Sequence, residues 1–162
     1  MKLLLTLALI AATTALRGEA EYPKMGPDIY DTKVDGSTLV EDAIVSANAT
    51  HRRILLDLGA NWCIWCRRLE HTFQTNPEVK KALDENFVLV LIDVNQRDGK
   101  NRNDSLNRHY ENPVKEGLPV LVVLEKDGRP LKTQETGALE NGVDGHDPKK
   151  ILAFLAAWAP KK

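Results

Sequence analysis

The stretch "RILLDLGANWCIWCRRLEHTF", residues 53–73, decides the fold. Its first seven residues are a β-rich apolar run broken by a single acid, Asp57, and read as a buried strand. A short turn leads to Trp62, Cys63, Ile64, Trp65 and Cys66, after which Leu69 and Phe73 lie one helical turn apart. The chain's two cysteines therefore stand where a strand hands over to a helix. First-turn N–H groups of a helix lack internal partners and carry the positive end of its dipole, so a thiolate is stabilised there. A free thiol titrates near ~8.5, and such a setting lowers it to roughly 3.5–7.5. Cys63 is thus the expected nucleophile. Cys66, one turn on and more shielded, is the expected resolving thiol.

Other uses of two cysteines fit less well. A bond across two residues closes a very small loop, and the entropic gain from a clip grows with loop length. Covalent haem attachment needs His directly after the second cysteine, where this chain has Arg67. Zinc needs two further ligands. His71 is the nearest, while His51, His109 and His146 are scattered, so no metal is expected. A Cys-x-x-Cys beside a β-α-β pattern reads instead as a redox pair.

The chain has 162 residues and a net charge of −1, a balance that argues against a nucleic-acid or anionic-membrane partner. Lys2 and the apolar run at 3–12 read as a signal peptide. The run is short of the roughly 20 residues a membrane span needs. Cleavage is expected after Ala20, with Ala15 as a second candidate and an uncleaved anchor as the alternative. Residues 1–20 are assigned to the signal, 21–36 to an extended lead-in and 37–160 to one domain. Export places the protein in the periplasm, outside the cell or in the endoplasmic reticulum lumen.

Ser37 is expected to cap a helix carrying Val40, Ala43, Ile44 and Ala47. Asn76-Pro77-Glu78 opens another, and "FVLVLIDV" (87–94) suits a strand covered on both faces. Residues 95–104 read as an exposed loop, with a short helix near 105–110. "LPVLVVLE" and "RPLKTQETG" flank the turn "KDG" as a hairpin, and Asp147-Pro148 starts a last helix bearing Ile151, Phe154, Leu155 and Trp158. The order α-β-α-α-β-α-β-β-α, with two crossovers joining parallel strands and then a hairpin, predicts an α/β fold: a mixed sheet with helices on both faces.

On these residues the chain resembles the thioredoxin-like superfamily. "LLDLGANWCIWC" is similar to the family's strand–turn–helix, with the acid six residues before the first cysteine and Trp directly before it. "GLPVLVVLEKDGR" (117–129) resembles the segment holding a cis-proline opposite the cysteines, which points to Pro119 preceded by Leu118. Together with the export signal, "WCIWCRRLE" is closest in type to exported reductases and the C-terminal domain of DsbD. The resemblance implies that Cys63 attacks a partner disulfide, Cys66 resolves it, and Asp57 accepts or relays the Cys66 proton. It also implies docking at Trp62, Ile64, Trp65, Leu118 and Pro119. The redox-active disulfide would be the sole redox group, with no separate cofactor. Partners would be protein disulfides and a thiol electron donor, met by a monomer.

Three departures stand out. Ile64-Trp65 replaces the usual Gly-Pro, Gly59-Ala60 is small where an aromatic is common, and Leu89 stands where a lysine often accompanies the buried acid. The expected activity is disulfide reduction. The alternative is a binding module that holds a partner or metal without turnover.

Overall fold

The computed structural model describes residues 26–97 and 101–161. The signal segment, the start of the lead-in and part of the 95–104 loop lie outside the described residues. The elements run α1 Gly36–Thr50, β1 Arg53–Gly59, α2 Ile64–Thr75, α3 Pro77–Asn86, β2 Phe87–Asp93, α4 Asp104–His109, β3 Val120–Leu124, β4 Pro130–Glu135 and α5 Pro148–Trp158. Short 3₁₀ turns at Pro113–Glu116 and Gly137–Leu139 precede β3 and follow β4.

Helix starts follow their caps. Asn76 Oδ1 accepts from the Glu78 and Val79 N–H groups, with Pro77 at the first position, and Asp147 does the same for Lys149 ahead of Pro148. α1 starts earlier than the sequence suggests. Its cap is Asp35, whose carboxylate accepts from Ser37 and Thr38, so Ser37 receives the cap rather than supplying it. Gly36 fits at the first position because Asn103 packs against it; an added Cβ would lie 2.9 Å from the Asn103 side chain.

The sheet order is β2-β1-β3-β4. β1 and β2 are parallel, whereas β3 runs antiparallel to both β1 and β4. The sheet is mixed as expected, but only the first crossover joins parallel strands. A strand buried on both faces carries the same continuous apolar run in either direction, so its sequence does not set its sense. Gly128, at φ 88°, makes the turn between β3 and β4.

Side-chain alternation along β1 divides the core. Ile54, Leu56 and Leu58 pack with Val120, Val122 and Leu124 of β3 against α1 and α4. Leu55 joins Leu121 and Val123 on the other face, under Leu69 and Phe73 of α2, Val79 and Leu83 of α3, and Ile151 and Leu155 of α5. Asp57 and Gly59 share the parity of Leu55, which turns them toward α2 and the cysteines.

Candidate active site

Cys63 is the N-cap of α2: its Sγ accepts from the Cys66 N–H at 3.1 Å, and its carbonyl starts the helix ladder by accepting from Arg67 N–H. The two cysteines form a disulfide with Cα atoms 5.2 Å apart. Cys63 keeps 5% of its surface exposed and Cys66 none. The bond can therefore be approached from the Cys63 side.

Asp57 is fully buried. Its Oδ1 accepts from the Tyr30 hydroxyl at 3.0 Å, while Oδ2 has no hydrogen-bond partner among the described residues. Its carboxyl is raised to about 7, chiefly by burial, against the lowering effect of the Tyr30 bond and with a further push from the charge of Glu70 on α2. Tyr30 is itself buried, and burial followed by the Asp57 charge holds its phenol well above the ordinary value.

Gly59 makes room for this arrangement. A Cβ there would lie 2.1 Å from the Tyr30 hydroxyl and 2.8 Å from Cys66 Sγ, so both atoms sit over the same bare Cα. The small residue noted in the sequence is thus filled from outside the strand, by a tyrosine of the lead-in. Asn61 fastens that tyrosine: its Oδ1 accepts from the Ile29 and Tyr30 N–H groups at 2.8 and 2.9 Å, and its Nδ2 donates to the Tyr30 carbonyl at 2.9 Å. Arg67 completes the clasp by donating from Nε to the Asn61 carbonyl and from Nη1 to the Pro27 carbonyl. Arg67, a charged residue on α2, is buried and structural.

Among the residues singled out in sequence, Trp62, Trp65 and Leu118 pack with Tyr30, Ala60 and the two cysteines in one cluster. Trp62 donates from Nε1 to Asn95 Oδ1 at 3.1 Å, and the Arg97 guanidinium lies 3.7 Å over its ring. Trp65 is half-buried, with Arg68 4.7 Å over one face and His146 edge-on at 5.7 Å. The Leu118–Pro119 peptide is cis, and the Pro119 carbonyl accepts from Thr136 Oγ1 at 2.7 Å. Ile64 opens α2 half-buried and lies outside the cluster. His71 is half-buried on α2.

Sequence reasoning missed Tyr30, Asn61 and His146. His146 is 2% exposed, neither ring nitrogen has a hydrogen-bond partner among the described residues, and burial followed by the Arg68 charge lowers it to about 4. No group of three or more His, Cys, Asp or Glu among the described residues is arranged to hold a metal.

A thioredoxin-like family profile matches residues 37–127, the stretch that holds the Cys63–Cys66 disulfide, the buried Asp57 and the cis Leu118–Pro119 peptide. The chain belongs to the thioredoxin-like family. The Cys63–Cys66 disulfide at its centre is the kind of group through which thiol–disulfide exchange proceeds. The thiol:disulfide interchange protein DsbD of Colwellia psychrerythraea is 33% identical over 97 residues, covering 60% of this chain and 15% of that protein. The chain thus spans only a small part of the DsbD proteins it matches. A disulphide isomerase from Xylella fastidiosa superposes with a TM-score of 0.70 at 33% identity, over 81% of this chain and 96% of the other. The oxidised C-terminal domain of Neisseria meningitidis DsbD shares the fold at 20% identity, with a TM-score of 0.53 over 82% of this chain and 99% of that one.

Proposed function

We propose that this thioredoxin-like domain is an exported disulfide reductase that passes electrons to protein disulfides, using Cys63 as nucleophile and Cys66 as resolving thiol. The observation that carries the direction is the buried acid Asp57, whose hydrogen-bond partner Tyr30 shares the Gly59 face with Cys66 Sγ. Glu70 on α2 adds a second negative charge acting on Asp57, while Arg67 is held in the clasp with Asn61 and Pro27. Strong oxidants of this fold owe their potential to a stabilised reduced thiolate. Acidic groups near the thiols work against that stabilisation and favour giving electrons away. The similarity to the thiol:disulfide interchange protein DsbD supports disulfide exchange at this site and is consistent with export.

In this reading Cys63 attacks the client, Asp57 accepts the Cys66 proton, and Cys66 closes the disulfide as the client leaves reduced. Trp62, Ile64, Trp65, Leu118 and Pro119 form the docking surface, the electron donor is a thiol protein, and no cofactor beyond the cysteine pair is used. The Xylella relative's name favours a second reading, disulfide isomerase.

Equilibration with glutathione redox buffers separates the two. The reductase reading expects a potential nearer the thioredoxin value of about −270 mV than the isomerase value of about −180 mV. A potential at or above about −180 mV overturns it.

A further inference from the structure

The thiol exchange leaves one question about the buried acid: which group decides when Asp57 is charged. Among the described residues, the group favouring the charged carboxylate is Tyr30; Glu70 opposes it. The Tyr30 hydroxyl occupies Oδ1, leaving Oδ2 unpartnered, and it shares the Gly59 face with Cys66 Sγ. The Tyr30 N–H and carbonyl are both held by Asn61, the residue two before Cys63, which also accepts from the Ile29 N–H, and the Tyr30 side chain is buried.

We propose that Tyr30 is a positioning residue of the exchange reaction: its hydroxyl fixes and charges the Asp57 carboxylate so that Oδ2 receives the Cys66 proton. The inference rests on the proton-accepting role of Asp57 given above. In the step concerned, the client is joined to Cys63 by a mixed disulfide. The Cys66 S–H proton passes to Asp57 Oδ2, and the Cys66 thiolate forms a bond to Cys63 Sγ. The Cys63–client S–S bond breaks, and the client sulfur leaves as a thiolate that takes its proton from Asp57 or water. The two cysteines are oxidised and the client is reduced. The phenol keeps its own proton throughout, as its raised pKa requires.

The charged groups that act on this pair come from α2 and β2. Glu70 faces both Asp57 and Tyr30 from α2, and Asp93 at the end of β2 acts on Tyr30. Asp93 is in turn paired with Arg102 at 3.3 Å and feels Asp28 of the lead-in. Tyr30 donates its hydrogen bond to Asp57, whereas these acids act through charge alone.

The test uses 5,5′-dithiobis(2-nitrobenzoate) with the reduced protein. The first thionitrobenzoate released reports attack by Cys63, and the second reports attack by Cys66 on the mixed disulfide. The pH profile of the second release is compared for wild type, Tyr30→Phe and Asp57→Asn, while carboxyl ¹³C NMR follows Asp57 itself in the oxidised protein. Losing a hydrogen bond to a charged group should move the Asp57 titration, and the acid limb of the second release, upward by about 1 unit or more in Tyr30→Phe. Asp57→Asn should abolish that limb. If Asp57→Asn abolishes it but Tyr30→Phe leaves both titrations in place, the role of Tyr30 is overturned and that of Asp57 stands. A limb unchanged in Asp57→Asn overturns the relay itself. The NMR titration of wild type needs no variant to fold, and an Asp57 pKa near 3.8 would overturn the proposal on its own.

Discussion

Replacing Asp57 by Asn should make the oxidised protein more stable than wild type at pH 8, an advantage that is lost in acid and reversed there by about 1–3 kcal/mol. The folded carboxyl titrates at about 7 against an ordinary 3.8. Between those values the folded state holds a proton that the unfolded chain has lost, so wild-type stability falls as pH rises through this window. Each pH unit removes about 1.4 kcal/mol, so the gap of roughly three units amounts to about 4 kcal/mol above pH 7. Asparagine carries no such charge and can still accept from Tyr30. Its amide N–H groups, however, enter a site where Oδ2 has no partner, at a cost of about 1–3 kcal/mol. The net gain at pH 8 is therefore about 1–3 kcal/mol, and the pH dependence is the cleaner readout. Urea unfolding of both proteins at several pH values from 4 to 8 should give a stability difference that grows steadily toward pH 7 and then levels. A difference that stays constant from pH 5 to 8, or shrinks, would refute the assignment of a buried, uncompensated carboxyl.

Gly59→Ala should destabilise by about 1–3 kcal/mol in chemical denaturation, because its Cβ would lie 2.1 Å from the Tyr30 hydroxyl and must displace it. Arg67→Ala loses two charge-assisted hydrogen bonds and should cost about 2 kcal/mol or more, with protease cleavage in residues 26–35 rising in parallel. His146 is held neutral, so the unfolded chain protonates first and its contribution to stability is lost as pH falls from 6.5 through about 4. His146→Gln should remove about 2–3 kcal/mol of that acid sensitivity, measured as the slope of unfolding free energy against pH.

Much of this architecture is legible because it is local. The apolar run of β1, the caps at Asn76 and Asp147, and the cysteines after a strand each carry their meaning within a few residues. The sense of β3 is not local: it depends on the long connection after β2, and its own run "VLVVL" is apolar in either direction. Asp57 could be found through its spacing from Cys63. Tyr30 could not, because its role depends on a contact across 27 positions and on a lead-in whose prolines and glycines suggest only an extended chain. The one trace it leaves is the small pair Gly59-Ala60, whose second position often carries an aromatic in the family it resembles. The role of Arg67 is hidden for a related reason. Charge on a helix suggests solvent, yet here the carbonyls of Pro27 and Asn61 satisfy it inside.

The claim beneath all of this is that Cys63 attacks and Cys66 resolves. Mass spectrometry of the Cys66→Ser protein after incubation in reduced form with insulin tests it directly. The account predicts a mixed disulfide at Cys63 that persists, with insulin reduction lost in both Cys66→Ser and Cys63→Ser. Insulin reduction at the wild-type rate by Cys66→Ser, or an adduct that never forms at Cys63, would contradict it.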